Sequence, residues 1–387
     1  MNILSIECTK VLIVSASVGS GHDQAAKAVA AGIGRQCYRA KVEIVDFMGI
    51  ENSYFNTLLK DAYLKVIDIS PNLYDLLYRW SQNHQRYFKV QNMVARAMKR
   101  AMYQLCKEHQ PDIVVCTHPF PLGAAAYLRK IRKLDAPLVA VMTDFSVHPL
   151  WVYSDVNYYF TATEEMAKEL VKQGIQPQKI HSTGIPIDQR FSVGLDRDRM
   201  LSDLGLDPGK STVLFMGGGL GLGPVEKAVI TINASKMPIQ LIVVAGKNAI
   251  LRRQLELTEK LSGQPMMVVG YTNRIRALMA ASDLLITKPG ALTLSEAMAA
   301  KLPMVLYKPI PGQEEDNALY AVGLGVAVQA EGAADLTSLI GELINQPARL
   351  EAMKRKAERF SRPAAADSIA GIIGDVIVSC CGISAGG

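Results

Sequence analysis

A chain of 387 residues exceeds what a single hydrophobic core usually organises, so two domains are expected. Its composition, 49% hydrophobic and 20% charged, excludes a disordered or fibrous chain, and no apolar run approaches the ~18 residues of a membrane-spanning helix. The net charge of +6 is concentrated between Tyr54 and Gln104, where eight Lys/Arg face three Asp and nine of the 25 aromatic residues gather.

The first ten residues carry no basic segment followed by a long apolar core, so no secretory leader is expected. From there short β-branched runs alternate with helical patterns, the signature of βαβ units and a parallel sheet. The first series of expected strands is Val11–Ala16, Val42–Asp46, Ile113–Cys116, Leu138–Met142 and Val156–Phe160, with a helix over His22–Arg35. Residues 187–210 form a polar break that ends in Pro208-Gly209. A second series follows at Thr212–Met216, Leu241–Ala245, Met267–Val269, Leu284–Ile286 and Met304–Tyr307, with helices over Pro224–Ala234, Thr293–Ala300 and Glu314–Val322. Leu336–Arg359 reads as one helix, and Pro363 restarts another over Ala364–Val378. The expected layout is α/β: a Rossmann-like domain over 1–190, a linker over 191–210, a second such domain over 211–361, and a closing helix with its tail over 362–387 that crosses back to the first domain. Ligands of doubly wound sheets bind at the carboxyl ends of the strands, and two such domains facing across a cleft would bring those ends together.

The glycine-rich motifs fall directly after expected strands. Ser17-Val18-Gly19-Ser20-Gly21-His22 joins the first strand to the first helix, and glycines there permit a tight turn at a helix end that favours negative charge. His22 on that first turn can take a proton from an acceptor hydroxyl at neutral pH; the plainer reading is a histidine in a glycine turn. Met216 to Pro224 holds five glycines, Gly217, Gly218, Gly219, Gly221 and Gly223, suited to a backbone cradle for a diphosphate. It lacks the Lys-Ser/Thr of a P-loop, and no acidic residue ends the following strand as a dinucleotide fingerprint would require. Thr287 to Glu296 forms a turn and helix start in which Gly290, Ala291, Leu292 and Thr293 can offer backbone N–H groups. Glu296 can accept hydrogen bonds from a ribose, although Thr/Ser followed by Glu is also a capping pattern. Pro309 to Asn317 presents Gln313, Glu314 and Asn317 at a helix start, polar groups fit for sugar hydroxyls, or acids that merely complement a helix dipole.

The order GSGH, Thr143-Asp144-Phe145 with His148-Pro149 and Trp151, the glycine loop, KPGALTLSEA (288–297) and PGQEEDN (311–317) resembles the glycolipid-forming transferases of the monogalactosyldiacylglycerol synthase and processive diacylglycerol glucosyltransferase group. These are relatives of the transferase that adds N-acetylglucosamine in peptidoglycan synthesis. The likeness runs from about Lys10 to Phe360. It implies the GT-B fold, a UDP-hexose donor in the second domain and a lipid acceptor such as diacylglycerol in the first, with inversion giving a β-glycoside. It also implies roles: His22 as base, and Asp144 as a further catalytic candidate. The donor would lie along Gly21, the glycines 217–219 and 221, Gly246 and 290–293, with Glu296 on the ribose. Gln313, Glu314 and Asn317 would face the sugar, and Tyr271 and Thr272 would line the uracil. His148 and Trp151 would lie on the acceptor side.

No cofactor or metal is expected, because oriented backbone amides can assist a departing diphosphate. Asp196-Arg197-Asp198 lies away from any strand end and reads as a solvated charge run. The cysteines Cys8, Cys37, Cys106, Cys116, Cys380 and Cys381 lack CxxC or Cys/His metal spacing and read as reduced thiols of a cytoplasmic protein. Trp80, Arg79, Arg86 and Lys89 suit an anionic leaflet, which places the chain peripherally on the cytoplasmic face of the cell membrane. The competing reading is a core of ordinary packed aromatics. Nucleic acid is not expected as a partner, since no reader motif accompanies the charge. Alternatives are N-acetylglucosamine transfer to an undecaprenyl-linked peptidoglycan intermediate, a UDP-sugar 2-epimerase, and a non-catalytic nucleotide-sugar sensor.

Overall fold

The computed structural model describes residues 9–17, 20–37, 39–49, 84–218 and 225–380, with 84–92, 94 and 378–380 described as backbone only. They fall into two compact units, one within Met1–Ile187 and Ala364–Gly387, the other Asp188–Pro363.

In the first unit β1 (Lys10–Ser15), β2 (Lys41–Asp46), β3 (Ile113–Cys116), β4 (Leu138–Val141), β5 (Tyr158–Thr161) and β6 (Ile180–Ser182) form one sheet in the order β2-β1-β3-β4-β5-β6. Every pairing is parallel. The central strands read as unbroken apolar runs because helices cover both faces, and Val11 to Val14 are buried accordingly. The helices are α1 (Ser20–Gln36), α2 (His84–His109), α3 (Pro119–Lys130) and α4 (Glu164–Lys172). Because β2 and β3 flank β1 on opposite sides, the order in which strands are added reverses between β1 and β3. The loops after those strands therefore open at a switch point of the sheet.

The second unit repeats the plan. It holds α5 (Arg197–Asp203), β7 (Ser211–Met216), α6 (Val225–Ala234), β8 (Ile239–Val244), α7 (Ala249–Leu261), β9 (Met266–Val269), α8 (Ile275–Ala280), β10 (Leu284–Thr287) and α9 (Ala291–Ala299). These are followed by β11 (Met304–Tyr307), α10 (Gln313–Leu324), β12 (Ala327–Ala330), α11 (Ala333–Ile344) and α12 (Pro347–Phe360). The strand order is β12-β11-β10-β7-β8-β9, again all parallel, with the switch point between β7 and β10.

The final helix, α13 (Ala365–Cys380), packs on α1 and completes the first core: Ile369, Ala370 and Ile373 are buried with Val11, Ile13, Val29 and Ile33. Each of these isoleucines contributes about 1.5–3 kcal/mol by leaving water. The helices approach so closely that a Cβ on Gly32 would lie 2.6 Å from the Ala366 carbonyl oxygen, a backbone atom that has little room to yield. Arg35 pairs with Asp367 at 2.5 Å beside that contact.

Three expectations change. The short strands β6 and β12 join the sheet edges, and the stretch read as one helix over Leu336–Arg359 is two, because Pro347 cannot donate to a continuing helix and starts α12 instead. Asp196-Arg197-Asp198 is structural: Asp196 caps α5 by accepting from the Arg199 amide at 3.0 Å, and Arg197 donates to Asp283 at 2.8 Å. Among the described residues no helix is long and apolar enough to cross a membrane, and no group of three His, Cys, Asp or Glu side chains could hold a metal ion.

Candidate active site

In the first unit the candidate chemistry lies on the loops after β1, β3 and β4. The turn into α1 is held by carboxylates: Ser15 Oγ donates to Asp23 at 2.5 Å, and Asp46 accepts from the Ser17 amide at 2.9 Å. This sets Gly21 and His22 in the first turn of α1. The Nδ1 of His22 stands 3.0 Å from the Thr117 carbonyl oxygen and 2.8 Å from Thr143 Oγ1. A carbonyl can only accept, so Nδ1 carries a proton, and in the neutral ring the lone pair is then on Nε2. Thr117 also donates its hydroxyl to the His22 carbonyl at 3.1 Å, tying the helix start to the β3 loop.

His118 packs edge-on against His22 with ring centroids 4.6 Å apart. It caps α3 by accepting from the Phe120 amide at 3.1 Å, and burial followed by the neighbouring His22 holds it neutral well below the usual imidazole range. Thr117, His118 and Thr143 were not singled out from sequence as partners of His22. The visible signal was only their position immediately after apolar runs.

The other acceptor-side candidates divide. Asp144 follows Thr143 and is half-buried. His148 is buried, accepts from the Leu150 amide at 3.2 Å, and is pushed down to about 4 by desolvation. Trp151 corrects the expectation of an acceptor or membrane contact: it is fully buried in the core of the unit, where a large indole contributes by packing. Arg79 and Trp80, and the side chains of Arg86 and Lys89, lie outside the described residues.

In the second unit the candidates line the carboxyl ends of β7 to β11. Gly217 and Gly218 follow β7, and Gly218 takes φ +80°, a conformation that favours glycine, with open space where a Cβ would stand. Gly219 and Gly221 lie outside the described residues. Gly290 begins α9 with no side chain to cap it and with open space at its Cβ position. The first amides of α9, from Ala291, Leu292 and Thr293, are thus offered to solvent or to an anion. Gly246 follows β8. After β9, Tyr271 is exposed with Lys247 Nζ 5.1 Å above its ring, and Thr272 Oγ1 accepts from the Arg274 amide.

Glu296 lies one turn into α9. Its side chain keeps some solvent contact yet is densely surrounded, and desolvation, with a smaller contribution from Asp188, pushes its pKa up to about 8. Asp188 itself is held below the usual carboxylate range by hydrogen bonds from Arg190. Glu314 accepts from the Ile310 amide at 2.7 Å and stands 4.0 Å from Lys288 Nζ, while Glu315 accepts from the Gly312 amide at 3.1 Å. Those acids shape the Pro309–Gly312 loop, in which Gly312 takes φ +89°, and set Gln313 at the start of α10; Asn317 is buried one turn further on. Asp188 is an addition that the sequence patterns did not reveal, and Lys288 opens the 288–297 motif without a role legible from sequence.

Residues 22–187 match the family model for monogalactosyldiacylglycerol (MGDG) synthase, and residues 212–369 match that for the glycosyltransferase family 28 C-terminal domain. A processive diacylglycerol beta-glucosyltransferase of Bacillus licheniformis is 32% identical over 351 residues, 89% of each chain. Among solved structures, MurG of Acinetobacter baumannii superposes with a TM-score of 0.63 at 16% identity, covering 95% of this chain and 99% of that one. The UDP complex of S. aureus MnaA reaches 0.64 at 12% identity, covering 95% and 97%. These likenesses fix the fold as the GT-B pairing of Rossmann-like α/β units. With its two parallel six-stranded sheets and a sequence relationship spanning most of its length, the chain is a glycosyltransferase that belongs to the family of the processive diacylglycerol beta-glucosyltransferases.

Proposed function

We propose that the protein transfers a hexose from a UDP-sugar to diacylglycerol with inversion, making a β-glycosyl lipid at the cytoplasmic face of the cell membrane. The observation that carries this reading is the orientation of His22, whose Nδ1 is committed to the Thr117 carbonyl and Thr143, so that Nε2 is the nitrogen left to take a proton. In the reaction Nε2 takes the proton of the acceptor hydroxyl, the hydroxyl oxygen bonds to the anomeric carbon, and the bond from that carbon to the diphosphate breaks, releasing UDP.

The first unit supplies the base and the acceptor side, with Asp144 and His148 on the segment that follows Thr143 after β4. The second unit binds the donor. Gly217, Gly218 and the opening amides of α9 take the diphosphate, Tyr271 and Thr272 line the uracil, and Gln313 and Asn317 face the sugar. Helix N-termini and backbone amides stabilise the departing charge, a contribution that needs no metal. Glu296, largely protonated at neutral pH, offers one donor and one acceptor to a ribose diol.

Two exposed helix faces support the membrane reading. On α2, Met93, Arg96, Arg100, Tyr103 and Lys107 point outward while Ala95, Met98, Met102 and Leu105 are buried. On α7, Ile250, Leu257 and Leu261 recur at helical spacing and are 73%, 62% and 87% exposed, flanked by Arg253 and Lys260. Basic residues beside an anionic leaflet contribute about 1 kcal/mol each.

The test is incubation with labelled UDP-glucose or UDP-galactose and diacylglycerol in phosphatidylglycerol vesicles. The expected result is label in a glycolipid from one of the two donors. Label that stays water-soluble, or that enters lipid only from UDP-N-acetylglucosamine with an undecaprenyl-linked acceptor, would overturn the reading.

A further inference from the structure

We propose that Thr143 is a positioning residue that, with the Thr117 carbonyl, sets His22 in the Nδ1–H tautomer and stabilises its protonated ring without a carboxylate. This rests on the reading of His22 as the base. In triads a buried carboxylate receives the Nδ1 proton of the histidine, fixing its tautomer and stabilising the imidazolium. Here the group at hydrogen-bond distance from Nδ1 is instead a pair of neutral oxygens, the Thr117 carbonyl at 3.0 Å and Thr143 Oγ1 at 2.8 Å. The nearest candidate acid along α1, Asp23, accepts from Ser15 instead.

The three groups form a closed triangle, since Thr143 Oγ1 also lies 3.4 Å from the Thr117 oxygen. Nδ1–H is shared between the two acceptors, and the Thr143 hydroxyl spends its own proton on the carbonyl. Thr143 is buried at the end of β4, so its hydroxyl has little access to water as an alternative partner. His118, edge-on to the ring and locked neutral as an acceptor from Phe120, limits rotation from the other side. His22 is therefore held by elements following β1, β3 and β4, and the groups at hydrogen-bond distance from its Nδ1 are both neutral. Partners that orient a histidine at metal centres change affinity or activity by about 10–100-fold when removed, and the lower end of that range is expected for a neutral partner here.

The experiment compares Thr143→Val, which keeps the shape and deletes the oxygen, with Thr143→Ser, which keeps the oxygen. Thr143→Val is expected to lower kcat by roughly 10-fold with the KM for the UDP-sugar changed less than about twofold, and Thr143→Ser to recover most of that loss. ¹⁵N NMR of the resting enzyme is expected to show His22 protonated at Nδ1, with Thr143→Val shifting the ring towards a tautomer mixture. An unchanged kcat and an unchanged His22 tautomer in Thr143→Val would overturn the proposal, whereas full activity in His22→Ala would sink the base reading instead. The tautomer measurement needs no turnover, so the two failures are separable.

Discussion

Replacing His22 by alanine is expected to lower the rate of sugar transfer by about 10²–10⁴-fold, the usual contribution of a positioned general base. The acceptor hydroxyl would then have to lose its proton to water during attack. UDP binding is expected to stay within a few fold, because the donor ligands named above, Gly21 apart, lie in the other compact unit. Steady-state rates with isothermal titration of UDP separate the two effects. Retained activity would remove His22 as base; a parallel loss of UDP affinity would show that the substitution damages more than proton transfer.

Glu296→Gln is expected to act on stability, and Glu296→Ala on donor binding. The Glu296 carboxyl titrates at about 8 in the folded protein because burial opposes its charge, against roughly 4.3 for an unperturbed glutamate. Between those values the folded state holds a proton that the unfolded state has lost. Stability contributed by this site is therefore full below pH ~4.3, falls as pH rises and levels off above about 8. Glutamine cannot ionise, so the Tm advantage of Glu296→Gln over the native protein should grow across that window and then stay constant. For binding, glutamine still offers one donor and one acceptor, so the informative change is Glu296→Ala, which deletes both at about 0.5–1.5 kcal/mol for each neutral hydrogen bond, or roughly 10–100-fold in UDP affinity together. The loss should vanish with 2′,3′-dideoxyuridine diphosphate, which carries no hydroxyls to miss. An equal loss with both nucleotides would place Glu296 away from the ribose.

Much of this fold was legible because a parallel sheet covered on both faces needs unbroken apolar strands, and Val11–Val14, Ile113–Cys116 and Leu284–Ile286 are such runs. Gly218 after β7 was legible for a local reason: the chain turns there through a φ of +80°, which favours glycine. The strands β6 and β12 were not, since three or four residues at a sheet edge carry too little alternation to stand out. Nor was the surrounding of His22. Thr117 lies 95 positions away and acts partly through a backbone carbonyl, which leaves no mark on residue type, and Thr143 lies 121 positions away. Trp151 misled because its segment matched a family pattern, whereas its indole serves the core. Asp188 shows the opposite case, a carboxylate whose influence on Glu296 comes from a turn just ahead of α5 and is visible only once the unit is folded.

The central claim is a single displacement at the sugar carbon, driven by one base and leaving no covalent sugar on the protein. The most direct measurement is the anomeric proton coupling in the NMR spectrum of the purified lipid product made from a UDP-α-hexose. A large coupling, that of a β-glucoside or β-galactoside, is the predicted result. A small coupling, that of an α-linkage, would contradict the account, because retention needs a different arrangement of groups from a lone histidine facing the acceptor.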